Sequence, residues 1–298
     1  MTRPQLGRVV AVTGANAGLG FWTSLQLARD GASVILCCRN AERADAAQRA
    51  ILAKVPDADI RVVPLDTSSM QSVSAAGAEL AALPRLDVLI ENAGIVHTPR
   101  TRRESVDGNE LVLATNFLGH FSLTAAVLPA LQRTPGSRVV TVGSLSTLLV
   151  RTRLDDLQLR RHYDAWTAYA QSKVAIQSFA FELDRRFREH GMDVRAVSAH
   201  PGYSISGRSP RVPGVNDRGA GRRLIANLQW PFAQGKDRGA LPIVKAATSS
   251  VQGGEFFGPL YLMKGRPVIA RPNALTLDRS VASVFWAEGE RVAGITLL

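Results

Sequence analysis

The stretch Val9-Val10-Ala11-Val12-Thr13-Gly14-Ala15-Asn16-Ala17-Gly18-Leu19-Gly20 decides the reading of this chain. Val9–Thr13 is short, apolar and rich in β-branched residues, as a buried strand requires. The glycine-rich turn behind it opens a helical pattern. Glycines at 14, 18 and 20 let the backbone turn tightly and approach a ligand closely. Backbone N–H groups at the start of the following helix would then face a ligand, where the helix dipole favours an anion. Strand, glycine turn and helix N-terminus in this order suit a pyrophosphate. A structural turn can carry the same letters, so the rest of the chain has to agree.

Outward from that stretch the same rhythm recurs. Apolar runs stand at Ser33–Cys38, Ile60–Leu65, Asp87–Ile90, Arg138–Val142 and Val194–Ala199. Ala- and Leu-rich segments with helical spacing separate them: Ala41–Lys54, Ser68–Leu83, Leu111–Leu131 and Tyr169–His190. Such alternation predicts an α/β fold with a parallel sheet and helices on both faces, and right-handed crossovers favour a doubly wound order. Gly239–Thr248 and Asp278–Glu290 read as further helices. Tyr203–Asp237 breaks the rhythm with Pro210, Pro213, Gly214, Gly219, Gly221 and several arginines, and one short helix is expected at Arg222–Leu228. Long irregular segments inside compact domains usually serve function. We read residues 1–298 as one domain with a substrate loop or lid at about 203–237.

Composition narrows the class. With 298 residues, 46% of them hydrophobic and 20% charged, the chain can bury a sizeable core and is not a disordered polymer. No apolar run reaches the roughly 18 residues a membrane span needs, and Met1–Arg8 lacks the succession of a secretion signal. A soluble, cytoplasmic protein without a membrane partner is expected. Cys37 and Cys38 are adjacent and form no disulfide framework, and no His/Cys spacing suits a metal. The net charge of +11 raises nucleic-acid binding, but the arginines are scattered and aromatics are only 6%. A solvated basic surface serving an anionic cofactor or substrate is the better reading, with no nucleic-acid partner.

Two further sites carry chemistry. Cys38-Arg39-Asn40 ends the second strand, where a carboxylate would bind a ribose diol and repel a 2′-phosphate. None is present, and Arg39 offers a fork suited to a phosphate. NADP(H) is therefore expected over NAD. Tyr169 and Lys173 are four apart and share a helix face. A free phenol, with a pKa of about 10, is a poor acid at neutral pH. A neighbouring ammonium would favour the phenolate and could also reach a ribose. Ser144 follows the fifth strand, 25 residues before Tyr169, and its hydroxyl could polarise a carbonyl oxygen.

The spacing G-x-x-x-G-x-G after Thr13, Asn92-Ala93-Gly94 after the fourth strand, Ser144, and Tyr169-Ala170-Gln171-Ser172-Lys173 resemble the short-chain dehydrogenase/reductase family, and Cys38-Arg39-Asn40 its retinol-dehydrogenase-like members. The resemblance implies a single-domain Rossmann-type sheet of about seven strands with the cofactor at the strand C-termini. It implies that Gly14, Ala15, Asn16, Gly18, Leu19 and Gly20 cradle the cofactor. Arg39 and Asn40 then meet its adenosine end, with Asp66 and Thr67 at the adenine. Asn92, Ala93 and Gly94 lie along it, although Glu91 stands where the family usually has a second asparagine. Pro201 and Gly202 would sit beside the nicotinamide, and Ser204 or Ser206 takes the place of the family's threonine. The implied catalytic set is Asn116, Ser144, Tyr169 and Lys173. Asn116 holds a water for proton relay and Ser146 is a second polar contact. His200 is expected to be packed rather than catalytic.

Gly253–Pro259 resembles the end region of the same group, with a short last strand. Family members are often dimers or tetramers packed through the helices that carry Asn116 and Tyr169, so a homodimer or homotetramer is expected. His97–Arg103, Leu145–Arg153 and the long loop, with Leu145, Leu148, Leu149, Trp230 and Phe232, suit a bulky, partly apolar small molecule, such as one of bacterial secondary metabolism. A C=N or hemiaminal carbon is an alternative acceptor to a carbonyl. A catalytically inactive NADP-binding regulator is the alternative from another class.

Overall fold

The structure is a computed structural model and describes residues 3–216 and 232–298. The expected helix Arg222–Leu228 and Trp230 lie outside the described residues. In chain order the first half holds β1 (Val9–Thr13), α1 (Gly18–Arg29), β2 (Ser33–Cys38), α2 (Ala41–Leu52), β3 (Ile60–Pro64), α3 (Met70–Ala81), β4 (Val88–Glu91), α4 (Leu111–Gln132) and β5 (Ser137–Val142). The second half holds α5 (Ala165–Glu189), β6 (Val194–Ala199), β7 (Ser204–Ile205), β8 (Gln234–Gly235), α6 (Leu241–Thr248), β9 (Phe256–Pro259), β10 (Pro267–Ile269) and α7 (Arg279–Ala293).

The main sheet runs β3-β2-β1-β4-β5-β6-β9-β10. All neighbours pair in parallel except β10, which is antiparallel to β9 at the edge. The expected parallel core is present, and β10 adds an eighth strand. Three residues beginning with a proline give too short a run to be read as a strand from sequence. The chain reverses direction across the sheet between β1 and β4, so the ends of these strands open the crevice where ligands bind in doubly wound sheets.

Helices α3, α4, α5 and α7 cover one face, and α1, α2 and α6 the other; each face has its own apolar core. Burial on both faces explains why the strands read as near-continuous apolar runs. Caps set the helix starts: Asn40 Oδ1 accepts from Arg43 N at 2.8 Å and Asp164 Oδ2 from Thr167 N at 2.7 Å. The Asp164 cap starts α5 at Ala165, four residues before the expected Tyr169. Ser69 caps α3, its side chain accepting from Ser72 N.

Helix α4 is the one described helix long and apolar enough to cross a membrane, yet 72% of its most apolar window is buried inside the protein. It is the central core helix. Gly119 leaves room for the Thr67 carbonyl, which a side chain would strike. A π-turn at Ala114–Leu118 interrupts α4 where Asn116 sits. Such turns are rare and often mark functional positions.

The face of α4 and α5 expected to meet a partner subunit is covered by this chain itself. Helix α7 lays Phe285 and Trp286 against Phe117, Phe121 and Phe179, with ring centroids 5.3–5.8 Å apart. Gly289 brings α7 against the Phe121 ring, 2.6 Å from where a Cβ would stand, and the Arg186 guanidinium caps Trp286 at 3.9 Å.

Candidate active site

The glycine turn is locked to the end of β4 from several directions. A Cβ on Gly14, whose φ is +65°, would lie 2.9 Å from Ala93 Cα. One on Gly20 would lie 2.5 Å from Asn92 Nδ2 and strike the Gly14 carbonyl. Asn92 Nδ2 donates to the Thr13 carbonyl at 2.8 Å, and the N–H groups of Asn92 and Ala93 both donate to Thr13 Oγ1 at 2.9 and 2.8 Å. With two donors already on its oxygen, the Thr13 hydroxyl gives its proton to His120 Nε2 at 3.0 Å. The His120 Nδ1–H then donates to the Asn116 carbonyl at 3.2 Å. Burial pushes His120 down to about 4, in keeping with this neutral tautomer. The turn and the Asn116 segment of α4 are therefore tied through one buried imidazole. Sequence reading missed it, since a mid-helix histidine carries no signal of its own.

A cleft of about 670 Å³ opens from this turn. Gly14, Asn16, Gly18 and Leu19 line one wall, with Arg39 and Asn40 at one end. Asp66, Thr67, Asn92, Ala93 and Gly94 complete the side facing the sheet. Ala15 is fully buried and Gly20 lies under the turn, so these two support the wall rather than form it. Asp66 Oδ1 accepts from the Ser68 N–H and hydroxyl at 2.9 and 2.6 Å, and Arg39 Nη1 approaches its other oxygen at 3.5 Å. Arg43, in the first turn of α2, also lines the cleft. It stands four residues beyond Arg39, and nothing in its own spacing marks it as a ligand contact.

After β5 and near the start of α5, Tyr169 Oη donates to Ser144 Oγ at 3.3 Å. Ser144 is fixed by its own turn, accepting from Ser146 N at 3.2 Å. Lys173 Nζ donates to the Val142 carbonyl at 2.8 Å. Asn116 is buried; its Nδ2 donates to Ser172 Oγ at 2.9 Å and its Oδ1 accepts from Ile95 N at 2.7 Å. Gly94 leaves the space between them, since a Cβ there would stand 3.1 Å from Asn116 Oδ1 and 3.7 Å from Lys173 Nζ. Asn116 and Lys173 thus meet behind Gly94, which lines the cleft, and Lys173 ties to the strand end that leads to Ser144 and its partner Tyr169.

Their electrostatics differ from the expectation in one respect. Burial raises the Tyr169 phenol, and the Ser144 hydroxyl offsets part of that; the Lys173 ammonium is not what sets it. Burial pushes Lys173 itself down to about 8. An ammonium directed at a backbone carbonyl does little for the phenol one turn away.

The segment after β6 departs further from expectation. Ser204 Oγ donates to the Pro201 carbonyl at 2.7 Å and packs against Gly239, whereas Ser206 lines the cleft. Pro201 and Gly202 stand at the end of β6 outside that lining, and Gly202, at φ +64°, packs on the Met263 carbonyl. His200 is buried and stacked on Phe256 at 5.2 Å, and burial pushes it down to about 4, which fits the packed reading. Ser146 is buried and its Oγ has no hydrogen-bond partner among the described residues. Gly214, Val215, Asn216 and Lys236 also line the cleft, so both described arms of the 203–237 segment reach the cofactor side. Nothing in their local sequence signalled this.

Glu91 is a buried carboxyl; its Oε1 accepts from Thr124 Oγ1 at 2.6 Å and its Oε2 is unpartnered among the described residues. Burial raises it to about 8, so it is neutral at pH 7. Among the described residues no group of three or more His, Cys, Asp or Glu is placed to hold a metal.

The glycine cradle, the exposed N–H groups and the basic end of the cleft fit a nicotinamide dinucleotide, and comparison with known proteins agrees. A family model described as short chain dehydrogenase matches residues 8–209. Retinol dehydrogenase 13 of Homo sapiens is 33% identical over 97% of this chain and 85% of its own length. Polyprenol dehydrogenase of Mus musculus is 36% identical over 98% of this chain and 85% of its own length. Among solved structures, an uncharacterized protein from Mycobacterium paratuberculosis superposes with a TM-score of 0.79 at 34% identity, over 98% of this chain and 96% of the other. With the family model covering most of the sheet and these relatives nearly the whole length, the chain belongs to the short-chain dehydrogenase family of oxidoreductases and is retinol-dehydrogenase-like.

Proposed function

We propose that this chain is an NADP-dependent oxidoreductase acting on the carbonyl/alcohol pair of a bulky, largely apolar small molecule. The observation that carries this reading is the pair Tyr169 Oη and Ser144 Oγ, 3.3 Å apart, with Lys173 and Asn116 meeting behind Gly94 in the wall of a cleft that Arg39 and Arg43 also line. Bound in the cleft, the dinucleotide supplies or accepts the hydride. Gly14, Asn16, Gly18 and Leu19 hold its pyrophosphate, and Arg39 with Arg43 takes the 2′-phosphate.

Ser144 and Tyr169 both donate toward the oxygen where charge develops. Tyr169 passes its proton to that oxygen on reduction and takes it back on oxidation. Lys173 keeps the proton supply charged up to about pH 8, and the buried Asn116 amide fixes the backbone around it.

Apolar side chains at the surface support the substrate class. Leu148, Leu149 and Trp166 are exposed; Trp166 donates to the Leu149 carbonyl, and its ring lies 6.4 Å from that of Tyr169. Tyr203, Tyr261 and Leu262, after β6 and β9, are exposed as well. Retinol and polyprenol, in the names of the relatives, are long apolar alcohols, which favours an isoprenoid-like alcohol or aldehyde over a C=N acceptor. With α7 over the α4–α5 face, the enzyme works without a partner on that face.

The test is fluorescence titration with NADPH and NADH, followed by turnover on a panel of alcohols and aldehydes graded in apolar length. NADPH is expected to bind at least about tenfold tighter, and turnover to rise with apolar length. Equal or tighter NADH binding would overturn the cofactor assignment. Preference for short polar substrates would overturn the substrate class.

A further inference from the structure

The described arms of the 203–237 segment come together as a small parallel pair, Ser204 opposite Gln234 and Ile205 opposite Gly235. The next residue, Lys236, begins a single helical turn, Lys236–Gly239, laid against the head of α1. A Cβ built on Gly18 would stand 3.1 Å from Lys236 Nζ, and one on Gly239 would stand 3.2 Å from Leu19 Cδ2. The ammonium therefore lies at the first turn of α1, in the wall of the cleft. Its backbone is fixed there: Lys236 N donates to Ser209 Oγ at 2.8 Å, and Gly235 packs on the Arg208 carbonyl.

We propose that Lys236 is a further cofactor-positioning residue, a full positive charge brought by the insertion to the place where α1 receives the pyrophosphate. This rests on the dinucleotide reading above and deepens it. The helix N-terminus contributes only about half a charge, and α1 has no basic residue in its first turn. An ammonium at Gly18 supplies the rest, next to the N–H groups that bind the same anion.

The assignment separates Lys236 from Arg39 and Arg43 at the other end of the cleft. A pyrophosphate is common to NADH and NADPH, so Lys236 acts on both alike. A 2′-phosphate belongs to NADPH alone, so the arginines act on the ratio. Ser206, Gly214, Val215 and Asn216 line the same cleft, so the described arms of the segment share one wall with Lys236.

The experiment titrates the full chain, wild type and Lys236→Met, with NADPH and with NADH at low and high salt. Lys236→Met is expected to weaken both nucleotides by about tenfold, to leave their ratio unchanged and to flatten the salt dependence. Lys236→Arg keeps the charge and is expected to hold wild-type affinity within about threefold. Thermal unfolding of each variant within a few degrees of wild type shows that the effect is local. Unchanged affinity in Lys236→Met, a loss confined to NADPH, or equal losses in the Met and Arg variants would overturn the role assigned here. Wild-type protein that binds neither nucleotide would sink the dinucleotide reading and this inference together; wild-type binding with an unaltered Met variant would sink this inference alone.

Discussion

The two walls of the dinucleotide cleft are built on different principles. On the α1 side the backbone itself is constrained: Gly14 meets Ala93, Gly20 meets Asn92, and Thr13 gathers two N–H groups and an imidazole around one oxygen. On the insertion side Ser206, Asn216 and Lys236 arrive from a segment without a periodic pattern and are held by contacts within that segment, such as Lys236 N to Ser209 Oγ and Asn216 Nδ2 to the Pro210 carbonyl. The first wall is a property of residue types at fixed spacing. The second is a property of where a long excursion of chain comes to rest. Substitutions should therefore be costly and general on the first wall, and mild and selective on the second.

The largest expected effect is at Gly14. Gly14→Val forces a β-branched residue to φ +65° and against Ala93, at a cost of about 3 kcal/mol or more. Binding of both nucleotides should fall by over about a hundredfold. Near-normal binding in that variant would break the contrast between the walls.

Arg39→Ser comes next. It should weaken NADPH by about tenfold and leave NADH nearly unchanged, read from the same titrations. An equal loss for both nucleotides would mean that Arg39 does not face a 2′-phosphate.

Glu91 probes the ground beneath the constrained wall. Its carboxyl stays protonated in the fold up to about pH 8, whereas the unfolded chain ionises it above about pH 4.3. A raised carboxyl pKa destabilises the fold as pH rises: the cost is absent below about pH 4, grows between, and is complete above about pH 8. Glu91→Gln should thus leave Tm unchanged at pH 4 and add about 1–3 kcal/mol at pH 8.5. A Tm difference independent of pH would contradict the buried, neutral carboxyl.

The smallest effect belongs to the second arm of the insertion. Phe232 is 62% exposed, so Phe232→Ser should change stability by less than about 0.5 kcal/mol. A reduced turnover of long apolar substrates with unchanged nucleotide affinity would assign it to the substrate side.

The same contrast explains what the sequence made legible. Strands β1, β2 and β6 were readable to the residue because both faces of the sheet are covered and their runs are mostly apolar and buried. Ser144 at a strand end and Lys173 one helical turn after Tyr169 were readable from spacing, and Asn116 from the family resemblance. The unread features depend on tertiary placement. His120 needs Thr13 to be near α4, and Lys236 needs the insertion to return over α1. The covering of α4 and α5 by α7 needs Phe121 and Trp286 to meet across more than a hundred residues. Ser206 rather than Ser204 in the cleft is a matter of side-chain direction in a two-residue strand.

Proton transfer at Tyr169 is the centre of the account, and Tyr169→Phe tests it most directly. The ring and its burial are kept, and only the hydroxyl that reaches Ser144 is removed. With NADPH affinity measured in parallel, turnover is expected to drop by at least about a thousandfold while nucleotide binding stays within about threefold of wild type. Turnover close to wild type with NADPH bound would contradict the account.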